Sequence, residues 1–365
     1  MNRKICILLA FILLFSLMLF PPKGYSINKE IRGIWYNPTA SNVNVPNNYT
    51  LAKIKLYTDF SFYAEQNITE IFILVKNFNE VLYNSSVLPN CYSFDLLALA
   101  CEIANSLNLS IHAWIPMRTS TPEYQQVAID GKRYDIYNFV LPDVQNQIFS
   151  IINELVNYPI KGIHLDYIRY AGTNCGYDDY SVSKFMNETG INPRENPDSP
   201  EWAEWRKKQV TNIVNQTRII VKGHDLNLKL SIASFPHPEG VLQDWFNWLK
   251  NGLLDFACPM NYETDSNVFE NNIKYMLSQG INKNRILMGI GIWQIDNETF
   301  HKQVNITRDY GFAGFVLFRD AYLNDKTIPP LPSASNSNPL WFENPYIFAI
   351  LIIAIAVCIY IFVKW

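Results

Sequence analysis

The stretch Gly162-Ile163-His164-Leu165-Asp166-Tyr167-Ile168-Arg169-Tyr170 decides how the rest of the chain is read. An apolar run, Ile160 to Leu165, ends on an acid, Asp166, with His164 and Arg169 close by. A short apolar run of this kind suits a strand buried on both faces. Desolvation penalises the carboxylate that ends such a strand unless partners compensate. In a (β/α)8 barrel the carboxyl ends of the strands carry the active site. The meaning of Asp166 therefore depends on whether the remaining sequence builds that barrel.

Short apolar runs alternate with longer stretches of helical period, the sequence form of a parallel α/β fold. The expected strands are Ile31–Tyr36, Glu70–Lys76, Ser110–Pro116, Gly162–Asp166, Lys229–Phe235, Asp255–Asn261, Arg285–Trp293 and Gly314–Phe318. Val144, Ile148, Ile151, Ile152 and Leu155 repeat at helical spacing behind Pro142-Asp143, which suit a first turn. Further helices are expected over Glu201–Lys222, with Gly223 able to end it, and over Val241–Leu249, Val268–Leu277 and Thr299–Tyr310. No GxGxxG or phosphate-loop sequence follows any strand, so a nucleotide-binding sheet has no support. Eight strand–helix repeats favour a closed (β/α)8 TIM barrel. Only Ala321–Asp325 is left for an eighth helix. Either that helix is truncated, or Trp341-Phe342 packs back.

Both ends read as membrane-directed. Arg3 and Lys4 precede an apolar run from Ile5 to Phe20, then Pro21-Pro22 and the small-residue site Gly24-Tyr25-Ser26. That is the pattern of a signal peptide over residues 1–26. Tyr346 to Val363 is apolar and uncharged, 18 residues long, and Lys364 follows. This reaches the lower limit for a spanning helix, placed at 345–364, with the lone lysine favouring a cytoplasmic C-terminus. Residues 326–344, rich in Pro, Ser and Asn, suit a stalk. The expected molecule is thus an extracytoplasmic domain over 27–325, tethered to the cell membrane by one helix.

A net charge of −3 argues against nucleic acid as a partner. Sequons at Asn48, Asn67, Asn84, Asn108, Asn187, Asn215, Asn297 and Asn305 agree with secretion. Of six cysteines, Cys6 and Cys358 lie in the terminal apolar segments. Cys91 and Cys101 could bridge across a loop, and free thiols at Cys91, Cys101, Cys175 and Cys258 fit equally well. Neither CxxC nor a His-x-His or His-x3-His pair occurs, so no metal or cofactor is expected. Oligomeric state is not legible.

The carboxyl ends of the eight strands gather a distinctive set of side chains. They run Trp35-Tyr36, Lys76-Asn77, His112 with Trp114 and then Arg118, Asp166, Phe235-Pro236-His237, Asn261-Tyr262-Glu263, Trp293-Gln294 and Phe318-Arg319-Asp320. Aromatic faces stack on sugar C–H groups while amide, imidazole and guanidinium groups read hydroxyls, so this rim suits a carbohydrate. Single aromatics at a barrel mouth also serve simply to cover the core. Glycoside cleavage uses two carboxyl groups, one protonating the leaving oxygen and one acting as base or nucleophile. Asp166 is the first candidate, its bland alternative being an ion pair with Arg169. Glu263 is the second, with Asp265, Asp178, Asp179 and Asp320 as competitors. Trp35, Asn77, His112, Trp114, His164, Arg169, Asn261, Tyr262 and Trp293 are the candidate substrate contacts.

Several of these pieces resemble the glycosyl-hydrolase-like 10 family of TIM-barrel proteins. Glu30-Ile31-Arg32-Gly33-Ile34-Trp35 and Ile111-His112-Ala113-Trp114 resemble its opening strands, and Gly162–Tyr170 resembles its fourth-strand signature. Trp202, Trp205, Arg206, Val210 and Thr211, the run Leu253–Tyr262, Gly289-Ile290-Gly291 and Gly314–Phe318 follow in the family's order. Gly176-Tyr177-Asp178-Asp179-Tyr180 is similar to a loop that follows the signature in relatives. The resemblance spans about residues 29 to 322. It implies a glycoside hydrolase acting on an extracellular or envelope polysaccharide, with Asp166 as an active-site carboxylate. The expected function is therefore carboxylate acid/base cleavage of such a polysaccharide by Asp166 and Glu263. The alternative is a tethered carbohydrate-binding or envelope-structural protein on a degenerate barrel.

Overall fold

A computed structural model describes residues 30–41 and 43–330. Two compact units divide the chain, residues 1–327 and 328–365, and the barrel lies in the first. The signal-peptide and membrane-span expectations fall outside the described residues, as do Trp341 and Phe342. Among the described residues no helix is long and apolar enough to cross a membrane.

Eight parallel strands form one sheet: β1 Ile31–Tyr36, β2 Glu70–Leu74, β3 Ser110–Pro116, β4 Gly162–Asp166, β5 Lys229–Ser234, β6 Phe256–Pro259, β7 Leu287–Gly291 and β8 Gly314–Phe318. Their order is β6-β5-β4-β3-β2-β1-β8-β7, so each strand pairs with its sequence neighbour and β1 pairs with β8. Two isolated parallel bridges, Ala257–Ile286 and Met260–Gly289, join β6 to β7 and close the barrel. Glycine is required at that seam: a Cβ on residue 289 would lie 2.6 Å from the Pro259 carbonyl oxygen. Inside, Trp35, Phe72, Leu74, Trp114, Cys258 and Val316 pack into one apolar cluster.

The helices are α1 Tyr49–Glu65, α2 Leu96–Ser106, α3 Pro142–Leu155, α4 Asp179–Thr189, α5 Pro200–His224, α6 Trp245–Lys250, α7 Ser266–Ser278 and α8 Asn297–Asp309. Side-chain oxygens of Asn48, Asp95, Asp178, Ser199, Asp265 and Asp296 accept from first-turn N–H groups and start six of them. Pro142 opens α3 as expected, whereas α5 runs through Gly223 and is capped at Asp225. The helix expected over Val241–Leu249 shortens to α6. Leu242 adopts φ +53°, and Gln243 turns inward, accepting from Phe235 N at 3.0 Å and donating to Ala233 O at 3.1 Å. Satisfying the end of β5 thus takes precedence over helix continuation. β2 also ends early, and Lys76–Asn77 pairs instead with Glu80–Val81 in a small hairpin. After β8 a 3-10 helix, Asp320–Asp325, stands where a closing α-helix was expected. Cys91, Cys101, Cys175 and Cys258 are all free thiols, so the Cys91–Cys101 bridge does not form.

Candidate active site

A cavity of about 640 Å³ opens at the carboxyl ends of the strands. Asp166 lines it at the end of β4, only 6% exposed. Trp114 Nε1–H donates to Asp166 Oδ2 at 3.0 Å, and the Tyr167 N–H donates to Oδ1 at 2.7 Å. The register places β3 beside β4, with Pro116 opposite Asp166, so the indole reaches across from the neighbouring strand. Burial pushes the Asp166 carboxyl above its ordinary range, against the pull of these two donors and of the Arg169 and Arg118 charges. A group so poised holds its proton longer than an exposed aspartate does, which suits proton donation.

Glu263, four residues beyond the end of β6, lines the same cavity. Asn272 of α7 fixes it: Asn272 Nδ2 donates to Glu263 Oε1 at 3.1 Å and to Asn261 Oδ1 at 2.8 Å. Asn272 Oδ1 lies 3.0 Å from His237 Nε2, so the imidazole proton points at the amide. Asn261 is buried and donates to the Phe269 carbonyl at 2.9 Å. It stands behind Asn272 and is absent from the cavity lining.

Trp35, Asn77, Trp114, Arg169 and Tyr262, all expected to contact substrate, line the cavity with the two carboxylates. His164 lies beneath, fully buried. An indole N–H can only donate, so the 3.1 Å contact from Trp35 Nε1 makes His164 Nε2 an acceptor. The proton then sits on Nδ1 and is given to Ser231 Oγ at 2.9 Å. Burial, aided by nearby His112, holds the His164 pKa well below its usual value, consistent with this neutral tautomer. His164 thus positions Trp35 and does not face a ligand in the cavity. His112 sits in mid-strand toward the other end of the barrel, 3.0 Å from Glu70 Oε2, and lines a separate cavity of about 200 Å³ there. Trp293 lines an adjoining cavity of about 300 Å³ with Asn37, Trp114, Phe318, Arg319 and Asp320. It reaches the main site by edge contacts to Tyr262 at 5.1 Å and Phe318 at 5.3 Å.

The competing acids have other places. Asp178 and Asp265 are helix caps, Asp179 pairs with Arg194 on the surface, and Asp320 lines the adjoining cavity. Among the described residues, Asp166 and Glu263 are the carboxylates lining the main cavity. No three His, Cys, Asp or Glu side chains among the described residues converge as a metal centre requires. The sequence reading did not single out Asn272, Tyr167 or Phe78. Asn272 had one signal, an amide on the buried face of α7 beside Phe269, Ile273 and Met276.

A closed eight-stranded parallel barrel, with aromatic rings and two carboxylates lining the cavity at its C-terminal mouth, defines a TIM barrel. The chain belongs to the glycosyl hydrolase-like 10 family, whose model matches residues 30–304. Among solved structures, the glycoside hydrolase domain of PgaB (BpsB) from Bordetella bronchiseptica superposes with a TM-score of 0.66 at 14% identity, covering 85% of this chain and 98% of that one. The catalytic domain of β-amylase from Paenibacillus polymyxa gives 0.57 at 11% identity, over 82% and 95% of the two chains. A β-galactosidase from Bacillus circulans sp. alkalophilus gives 0.59 at 14% identity, over 81% of this chain and 51% of that one. At such identities the likeness is one of fold. No curated protein matches the chain in sequence.

Proposed function

We propose that the protein is a glycoside hydrolase that cleaves an envelope or extracellular polysaccharide, with Asp166 as general acid and Glu263 as the second carboxylate. One observation carries this reading. A buried carboxyl group with a raised pKa shares an aromatic-walled cavity with a second carboxylate held by Asn272. Two carboxyl groups in unlike environments are what an acid and its partner need. Family membership supports the reaction class. The reading includes delivery by residues 1–26 and tethering by residues 345–364, which would hold the barrel outside the cell membrane.

The test is reducing-sugar release from a panel of polysaccharides by the full chain, Asp166→Asn and Glu263→Gln. Loss of a general acid or base costs about 10²- to 10⁴-fold in rate. Asp166→Asn is expected to fall in that range with its melting temperature nearly unchanged. The amide keeps one acceptor for Trp114 or Tyr167 while a buried charge is removed. Cleavage at the native rate by Asp166→Asn overturns the assignment. Glycan binding with no cleavage of any polymer by the native chain replaces the hydrolase with a binding module on the same barrel.

A further inference from the structure

Five side chains along one wall of the main cavity form a ladder of alternating rings and cations. The Arg118 guanidinium lies 4.3 Å from the Phe78 ring and 5.1 Å from the Tyr167 ring. Arg169 lies 4.8 Å from Tyr167 and 4.8 Å from Phe235. All five line the cavity. A guanidinium packed against two rings offers hydrogen bonds from its edge, in its own plane. Those edges are under-used. Arg169 gives one bond, from Nη1 to the Tyr170 carbonyl at 3.3 Å, and its buried Nε has no partner. Arg118 binds Asp135 through Nη2, and its buried Nε likewise has none. The Asp166 charge is felt by both guanidiniums, yet no hydrogen bond or ion pair joins it to either.

Of the two guanidiniums only Arg118 has an ion-pair partner, Asp135, and holding either half-dry with N–H donors unpaired is costly. A neutral glycan would return only hydroxyl hydrogen bonds for that cost. Anionic oxygens would match both the charge and the in-plane fork, the bidentate geometry that carboxylate, sulfate and phosphate supply. We infer that the substrate is an anionic glycan, its carboxylate, sulfate or phosphate group seated on the edges of Arg169 and Arg118. This rests on the reading of the cavity as a glycan site.

Four sugars that differ only at carbon 6 test it: glucose, glucuronate, glucose 6-sulfate and glucose 6-phosphate, titrated against the full chain by quenching of tryptophan fluorescence. At least one anionic sugar is expected to bind about tenfold more tightly than glucose, the margin shrinking with added salt. Arg169→Gln should abolish that margin and Arg169→Lys keep part of it, whereas a guanidinium that served only to hold Asp166 would leave the charge preference unmoved. The sugar preferred identifies the anionic group. Glucose bound as well as all three, no binding of any of the four, or a preference that survives in both Arg169→Gln and Arg118→Gln overturns the inference. Cleavage of a polyuronate and of its carboxyl-reduced counterpart, measured in parallel, separates the two readings. Equal cleavage of both keeps the hydrolase and removes the anion site. Charge-dependent binding without cleavage of either does the reverse.

Discussion

Lys76 places an amine where no solvent reaches it. Its Nζ donates to the carbonyls of Phe78 and Arg118, the latter at 2.5 Å, and lies 4.7 Å from the Tyr137 ring. It therefore ties the loop after β2 to the loop after β3 at the two residues where the cation ladder begins. Burial, with the Arg118 charge adding to it, pulls the Lys76 pKa down to about 7. The unfolded chain keeps this proton up to the ordinary value of 10.5, so between about pH 7 and 10 the unfolded state binds more protons and stability rises with pH. Lys76→Met removes the titration. The stability of native protein relative to Lys76→Met should therefore climb between pH 7.5 and 9, by at most about 1.4 kcal/mol per pH unit. Urea unfolding at the two pH values measures it, and a difference independent of pH would contradict the clamp. None of this was legible in the chain. A lysine after an apolar strand reads as the first exposed residue, and only the fold shows two loop carbonyls converging on it.

The loop that follows β4 shows the same logic at the scale of an element. Arg206 of α5 is buried and donates through Nη1 to the carbonyls of Thr173 at 2.6 Å and Cys175 at 2.5 Å. It thereby holds the chain that leaves the Asp166 strand. Gly176 makes this approach possible: its φ is +102°, and a Cβ there would lie 3.0 Å from Arg206 Cδ and 3.1 Å from Tyr170 Cε1. Gly176→Ala should cost about 1–3 kcal/mol through backbone strain and crowding. Gly223, inside α5 with open space about it, is the opposite case, and Gly223→Ala should stabilise by about 0.5–1 kcal/mol. Thermal melts of the two variants check the contrast, and shifts of the same sign would sink it. The strands were legible because strands buried on both faces read as near-continuous apolar runs. Helix α1 was not, since Tyr49, Leu51, Ile54 and Tyr57 are exposed opposite buried Ala52, Leu56, Phe60 and Tyr63, which blurs its period. Helix α2 buries seven of its 11 residues and reads as an apolar run with no face. At the site, counting strands placed Asp166 and Glu263. The Arg118–Tyr167–Arg169 stack was beyond reach because Arg118 comes from the loop after β3 and the other two from the loop after β4, and they meet only in the folded barrel.

For the molecule as a whole, a (β/α)8 barrel must bring its first strand beside its last, and an ion-pair network at Glu30 reinforces that closure. Glu30 lies just before β1 and bonds Arg32 Nε at 2.7 Å and Arg308 Nε at 2.6 Å, the latter from α8. The three side chains are between 6% and 11% exposed, so these are buried charges held by one another. Burial favours the neutral acid, yet the Arg308 and Arg32 partners outweigh it and hold the Glu30 pKa below its usual 4.5. A depressed carboxylate pKa contributes stability that is fully present above the unfolded value and is lost as pH falls through the folded one. Glu30→Gln removes the charge that both guanidiniums share, and breaking a buried pair in this way costs about 3–5 kcal/mol. At pH 7 the variant should lose stability of that order. The gap from native protein should then narrow as pH falls below about 4.5, where the native carboxylate begins to lose its own advantage. Denaturant unfolding of both proteins at pH 7 and pH 4 tests this, and a gap unchanged by pH would place the stabilisation in packing and not in charge. Because the bonds link β1 to α8, the loss should also appear locally. Amide exchange in β1 and β8 should quicken in Glu30→Gln before exchange in β4 does, since β4 lies on the far side of the strand order from the β1–β8 pairing.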